Sequence, residues 1–236
     1  MTNQDIECAW KYHNGTKHSR ESVRTNAHFL DWPNQPRLYK VYRDQESTAL
    51  PTDRIESRRP ALSAIRENAA STPQLASVSL QDLADILYFA AGITRRRAYA
   101  GGELLFRAAA CTGALYSMEL YVLCRVVQGL PAGIYLFSPI DFSLKLLRHG
   151  DFSSVLADAT ACEPSVVHAP ATIICTGTYW RNAWKYQART YRHFGWDNGT
   201  ILANLLAVAS ARDLSAKVVT GFVDDDLNSL LGLAAR

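Results

Sequence analysis

Apolar residues first recur at helical spacing over residues 80–91, where Leu80, Leu83, Ile86, Leu87, Ala90 and Ala91 form one stripe. Ser79 precedes the stripe and Asp82 follows three residues later, the order of a capping box with a shortened acid. Gly92 stands where helices usually stop. The pattern changes at residues 118–127, an apolar and β-branched run that predicts a strand. Turn residues 128–133 then lead into Ile134, Tyr135, Leu136 and Phe137, so the two runs read as a hairpin. Residues 153–161 predict a short helix region ended by Pro164, and residues 171–177 a compact buried strand. After Asn198 and Gly199, residues 200–211 are apolar nearly all round. That predicts a helix in the middle of the core, with Asn204 as a polar interior residue in need of partners. Residues 217–222 read as a last strand, and Asp224, Asp225 and Asp226 as the acidic start of a terminal helix running to Leu233.

Two stretches break this rhythm. Residues 1–60 are polar and irregular, and Pro33, Pro36, Pro51 and Pro60 exclude long helices there. They read as an extension that wraps either the main domain, residues 61–236, or a partner subunit. Residues 98–113 are rich in Gly and Ala, which lets the backbone approach a neighbouring helix or a flat ligand equally well. Helices and strands interleave without a regular βαβ order, so the expected fold class is α+β with a mostly antiparallel or mixed sheet flanked by helices.

Composition narrows the function classes. The 236 residues are 48% hydrophobic and 20% charged, which suits one sizeable domain with an extension. A net charge of +3 is too small to argue for nucleic acid, and the clusters Arg58-Arg59 and Arg95-Arg96-Arg97 read as solvated loops. No apolar run approaches the ~20 residues of a membrane-spanning helix. The N-terminus lacks the basic-then-apolar order of a signal peptide, so a cytoplasmic protein is expected. Cys8, Cys111, Cys124, Cys162 and Cys175 are odd in number and widely spaced, which fits reduced thiols. His13 and His18 have no third ligand nearby in sequence, and the Asp triplet fits a helix start, so no metal site is expected. No dinucleotide fingerprint, phosphate-binding loop, nucleophile elbow or HExxH motif occurs.

Residues 180–193 carry the densest chemistry. Lys185, Arg181, Arg189, Arg192 and His193 are interleaved with Trp180, Trp184, Tyr186 and Tyr191. The segment fits either a binding surface or an amphipathic helix whose Lys and Arg stems lie along apolar neighbours.

Five segments in order resemble the SagB-type dehydrogenases of the nitroreductase-like flavoprotein superfamily, a group that includes thiazoline and oxazoline oxidases. Tyr12 to Lys17, with Pro36 to Tyr42 and Leu50-Pro51, is similar to the family's N-terminal signature. Ser79 to Thr94 resembles its first core helix, and Gly113 to Tyr121 its flavin-contacting loop and strand. Lys185 to Arg192 resembles its Lys-Tyr motif, and Gly221 to Asp226 with Leu231 to Leu233 its closing segment. The resemblance implies an FMN-dependent enzyme with the flavin at a homodimer interface, and a modified peptide or small natural product as substrate. It implies that Lys185 and Tyr186 handle the proton while the flavin takes hydride. The implied flavin contacts are Arg66, Asn68, Cys111, Thr112, Gly113, Ala114, Arg189, Thr220 and Gly221. Arg181, Arg189 and Arg192 would lower the proton affinity of a desolvated Lys185.

The sequence also departs from that pattern. The family's Arg-rich phosphate run reads Arg66-Glu67-Asn68-Ala69-Ala70-Ser71, and its Pro-Ser-x-Gly loop reads Ala110-Cys111-Thr112-Gly113. Losing bidentate Arg–phosphate contacts weakens binding by roughly several kcal/mol. The alternative reading is therefore a flavin-poor homologue that binds a peptide or partner in a biosynthetic complex.

Overall fold

The computed structural model describes residues 6–25, 28–54, 56–66, 77–100 and 102–233. Its elements run α1 (Ile6–Gly15), α2 (Arg20–Thr25), β1 (Ser47–Ala49), α3 (Ala61–Arg66), β2 (Val78–Ser79), α4 (Leu80–Ala91), β3 (Ile93–Tyr99) and β4 (Gly102–Arg107). There follow β5 (Met118–Cys124), β6 (Val127–Gln128), β7 (Gly133–Ser138), β8 (Ser143–His149), α5 (Ser153–Ala159) and α6 (Pro164–Val167). The chain closes with β9 (Ala171–Gly177), α7 (Tyr179–Tyr186), α8 (Thr190–Ala211) and α9 (Asp224–Leu231). The main sheet has the order β1-β8-β7-β5-β9 and is antiparallel throughout. With helices on both faces, the fold class is α+β, as the interleaved pattern implies.

Strand β5 is buried along its whole length because both of its faces are covered. Leu120, Val122 and Cys124 join Leu83 and Leu87 of α4 in one core cluster. Tyr121 and Leu123 point the other way, into a cluster with Leu156 of α5 and Leu227, Leu230 and Leu231 of α9. Two covered faces turn an alternating pattern into a continuous apolar run. Helix α4 begins with the expected reciprocal cap: Asp82 N donates to Ser79 Oγ at 3.2 Å, and Ser79 N donates to Asp82 Oδ2 at 2.9 Å. Gly92 ends it by close approach, since a Cβ there would lie 2.7 Å from the Tyr88 carbonyl oxygen.

Several expectations are corrected. The extension contains two short helices, α1 and α2, which lie ahead of its prolines. Pro164 opens α6 rather than closing a helix, because proline suits the first helical turn. The long helix starts at Thr190, not after Gly199, so Asn198 and Gly199 lie inside α8. Packing of α8 on α4 outweighs their poor helix propensity, about 1 kcal/mol for a glycine. Helix α8 is not central either: Ile201 and Ala209 are buried, whereas Leu202, Leu205, Leu206 and Val208 are only half-buried. Asn204 finds its partner in the Phe89 carbonyl, 2.9 Å away. Strand β9 is half-buried because it forms the sheet's outer edge. Residues 217–222 form no strand; Val219 instead packs against the α5/α9 cluster, and Val223 N bonds Ala159 O at 2.8 Å. The β3–β4 hairpin and strand β8 fill stretches whose pattern suggested no element.

Candidate active site

The Gly- and Ala-rich stretch ends in a tight turn, Thr112–Ala114, just ahead of β5. Gly113, Ala114 and Tyr116 all have positive φ, at 62°, 55° and 50°. Such conformations cost about 1–3 kcal/mol each for residues with a Cβ, so something must hold the loop. The buried carboxylate of Asp197, on α8, does so. It accepts from Thr112 N at 2.8 Å, Thr112 Oγ1 at 2.7 Å and Cys111 Sγ at 3.1 Å. Thr200 Oγ1, one turn along α8, donates to Ala110 O at 2.7 Å. At the other end of the loop Tyr116 N donates to Cys111 Sγ at 3.0 Å, and Arg107 N donates to Tyr116 Oη at 3.1 Å.

Tyr186 closes over this loop. A Cβ on Gly113 would sit 2.5 Å from the Tyr186 hydroxyl, so only glycine fits beneath it. The Tyr186 ring meets His193 edge-to-face, with centroids 4.5 Å apart. Lys185 bends back so that Nζ lies 5.5 Å from the centre of the Tyr186 ring. The long lysine chain thus overcomes the roughly 100° that separates adjacent side chains on a helix. His193 is itself fixed: Nδ1 lies 3.0 Å from Asn182 Oδ1, and Asn182 Nδ2 donates to Ser117 Oγ at 3.3 Å. That order makes Nδ1 the protonated nitrogen.

The electrostatics hold Tyr186 and Cys111 protonated and His193 neutral. Burial, then Asp197 and Cys111, push the Tyr186 phenol above its ordinary value. Burial and the bond to Asp197 push the Cys111 thiol up to about 12, so it serves as a hydrogen-bond donor and not as a nucleophile. Burial, then Arg189, lowers His193, which is therefore neutral at pH 7. Behind the loop, Arg181 and Glu119 form a buried ion pair at 2.6 Å, and Arg181 also donates to Tyr116 O at 2.7 Å. Glu119 Oε1 accepts from Lys40 N at 3.0 Å.

The structure therefore brings Cys111, Thr112, Gly113 and Ala114 together with Lys185 and Tyr186. It uses the arginines differently from the cationic cluster the sequence suggests. Arg181 pairs with Glu119, Arg189 donates to Thr16 O and lies 6.0 Å from the Trp196 ring centre, and Arg192 binds His13 O and Thr16 Oγ1. Arg66 ends α3, which packs against α8. Thr220 and Gly221 are exposed ahead of α9, and Asn68 lies outside the described residues. Sequence reasoning missed Asp197, Glu119 and His193 as site residues; a charge inside the apolar run 118–127 was the available signal for Glu119. A cavity of about 10 Å³ beside Cys111 and Asp197 has room for about one water molecule. A larger cleft of about 480 Å³ lies between β9 and α9, floored by Glu119 and Arg181. Among the described residues no His, Cys, Asp and Glu side chains cluster as a metal site, and no helix is long and apolar enough to cross a membrane.

No family model matches the chain. A Methanocaldococcus jannaschii protein assigned as a nitroreductase is 27% identical over 154 residues, 65% of this chain and 74% of the relative. A solved Anabaena variabilis structure assigned the same way is 28% identical with a TM-score of 0.78, over 96% of this chain and 43% of that one. The fold is nitroreductase-like. A Ralstonia eutropha structure, also assigned as a nitroreductase, shares the fold at 22% identity and a TM-score of 0.64, over 82% of this chain and 85% of its own. So does a chain of the E. coli microcin synthetase McbBCD complex with truncated pro-MccB17 bound, at 16% identity and 0.54, covering 95% and 80%. The two likenesses in sequence support the nitroreductase-like superfamily. This nitroreductase-like chain spans less than half the length of the Anabaena chain.

Proposed function

We propose that the protein is an FMN-dependent dehydrogenase or oxidase acting on a peptide-derived azoline or a related natural-product intermediate. The observation that carries the reading is the closure of Tyr186 over Gly113, with Lys185 folded onto the same ring. Two adjacent polar side chains at the end of α7 meet a distant turn whose Gly113 lacks a Cβ. The space that Gly113 frees is taken by the Tyr186 hydroxyl, so a flat ring would lie against the turn beside Tyr186 or displace it. When bound, FMN supplies the electron acceptor for hydride removal. The turn at Cys111, Thr112, Gly113 and Ala114 would face the ring, Arg66 and Asn68 the phosphate, and Arg189, Thr220 and Gly221 the remaining edges. The substrate would lose a hydride and a proton: Lys185 would take the proton as base, and Tyr186, its phenol held protonated by burial, would relay it toward solvent.

The substrate class rests on the resemblance to azoline oxidases, and the E. coli fold neighbour sits in a complex with a bound pro-peptide. A homodimer is part of the reading, because Leu202 and Leu206 on α8 stay half-buried in the single chain. The flavin-poor alternative draws on Arg189, whose guanidinium is already engaged by Thr16 O and Trp196.

FMN titration of the purified protein separates the two readings. Saturable binding that leaves the protein yellow after desalting supports the enzyme, whereas a protein that comes off the desalting column colourless after millimolar FMN sinks it. With flavin bound, Lys185→Ala should cut turnover by roughly 10²–10⁴, the usual worth of general acid–base catalysis, and leave the flavin spectrum unchanged. Elution at 26.2 kDa instead of about twice that mass refutes the dimer.

A further inference from the structure

We propose that the N-terminal extension is a clamp that holds the joint between α7 and α8 and thereby positions Lys185 and Tyr186. The joint needs holding. Helix α7 stops at Tyr186, and Gln187 adopts φ 50° and ψ −132°, a conformation that side chains with a Cβ rarely adopt. The chain then passes through a short 3-10 turn, Gln187–Arg189, into α8. Without external bonds a residue so strained relaxes, and Tyr186 moves with it.

Two parts of the extension reach this joint from more than 150 positions away in sequence. On the α8 side the Tyr12 hydroxyl donates to Ala188 O at 2.9 Å and accepts from Arg192 N at 3.1 Å. On the α7 side His28 spans the strained peptide. Its Nε2 lies 3.0 Å from Trp184 O, and its Nδ1 lies 3.0 Å from Gln187 Nε2. The carbonyl can only accept, so Nε2 carries the proton and Nδ1 accepts from the amide. Trp184 is pinned as well, donating from Nε1 to Asp31 O at 2.8 Å with the Trp32 ring at 5.4 Å. The first part of the extension buries little: α1 and α2 contain no buried residue. The bonds that Tyr12, His13, Thr16, His28 and Asp31 make to the domain fall on residues 184–192 and flank the two side chains of the proposed chemistry, whereas the later part of the extension bonds elsewhere, as Lys40 does to Glu119 and β1 to β8. That concentration fits a positioning role and not a general contribution to the core.

The proposal rests on the reading of Lys185 and Tyr186 given above, but its test does not require flavin. Amide hydrogen exchange is measured on the full chain for the wild type, Tyr12→Phe, His28→Ala and His28→Gln. Tyr12→Phe and His28→Ala should each speed exchange at residues 184–192 about tenfold, while β5 and β7 keep their protection. His28→Gln should restore protection, because glutamine carries a donor and an acceptor at similar reach. Unchanged exchange at 184–192 overturns the clamp, as does acceleration shared equally with β5 and β7. Equal loss in His28→Gln and His28→Ala overturns the role given to the two imidazole bonds. FMN titration of the same proteins keeps the two readings apart. If the wild type binds no FMN but the exchange pattern holds, the flavin reading fails and the clamp stands; if FMN binds and exchange is unchanged, the reverse is true.

Discussion

Strand β5 and the turn that leads into it are adjacent in sequence but held by different forces. Every residue of β5 is buried, with side chains sharing two apolar clusters, and its position follows from area removed from water. The turn at residues 112–116 buries less and takes three positive φ angles, yet its place is fixed by Asp197, Arg181 and Tyr186. Burial is non-directional and tolerant of exchange among apolar residues. The turn depends on a few charged bonds of fixed length. Robustness is thus concentrated in the strand, and geometry in the turn.

The largest expected effect tests whether the buried charges are the turn's anchor. Glu119→Ala leaves Arg181 charged and nearly unexposed, and should cost about 3–5 kcal/mol in urea unfolding. A loss below about 1 kcal/mol would mean that the pair is solvated, and the contrast would lapse. Next comes the strand region itself. Leu136→Ala, on β7 beside β5, should cost about 2–5 kcal/mol, while leaving hydrogen exchange at residues 184–192 unchanged relative to the sheet. Selective loosening of the joint in that variant would erase the distinction between the two regions.

The smallest effect is a pH slope. His193 is buried beside the site, and burial with Arg189 lowers its proton affinity, so below its ordinary value of 6.5 the unfolded chain takes up a proton that the folded chain resists. Its contribution to stability is complete above pH 6.5 and falls as the pH drops below that value. The urea midpoint should therefore decline on going from about pH 7.5 to about pH 5.5, and His193→Phe should flatten the decline. An equal slope in both proteins would show that the imidazole is not shielded as described.

How much of this was legible in the sequence varies by element. Helix α4, strands β5, β7 and β9 and helix α9 were readable because local signals agreed: a capping box, a run of β-branched residues between turn residues, and acids at a helix start. Helix α8 misled, since Asn198 and Gly199 are local breakers that packing against α4 overrides. Residues 217–222 misled in the opposite sense, because strand propensity forms no strand without a neighbouring edge to pair with. In the candidate site, the family resemblance implied Lys185, Tyr186 and Gly113 separately, and only the tertiary structure sets Tyr186 over Gly113. Asp197 carried no sequence signal beyond being a lone acid on the long helix, and Arg181 looked like one more cation in a cluster.

The sequence alone determined the α+β class and the interleaved order of helices and strands, because periodicity and caps are encoded within a few residues. The tertiary structure decided which carboxylate backs the turn, which arginines are already paired, and that the N-terminal extension grips the joint beneath Lys185 and Tyr186. Those contacts reach across as many as 180 positions, and their strength depends on burial and orientation that no local pattern specifies.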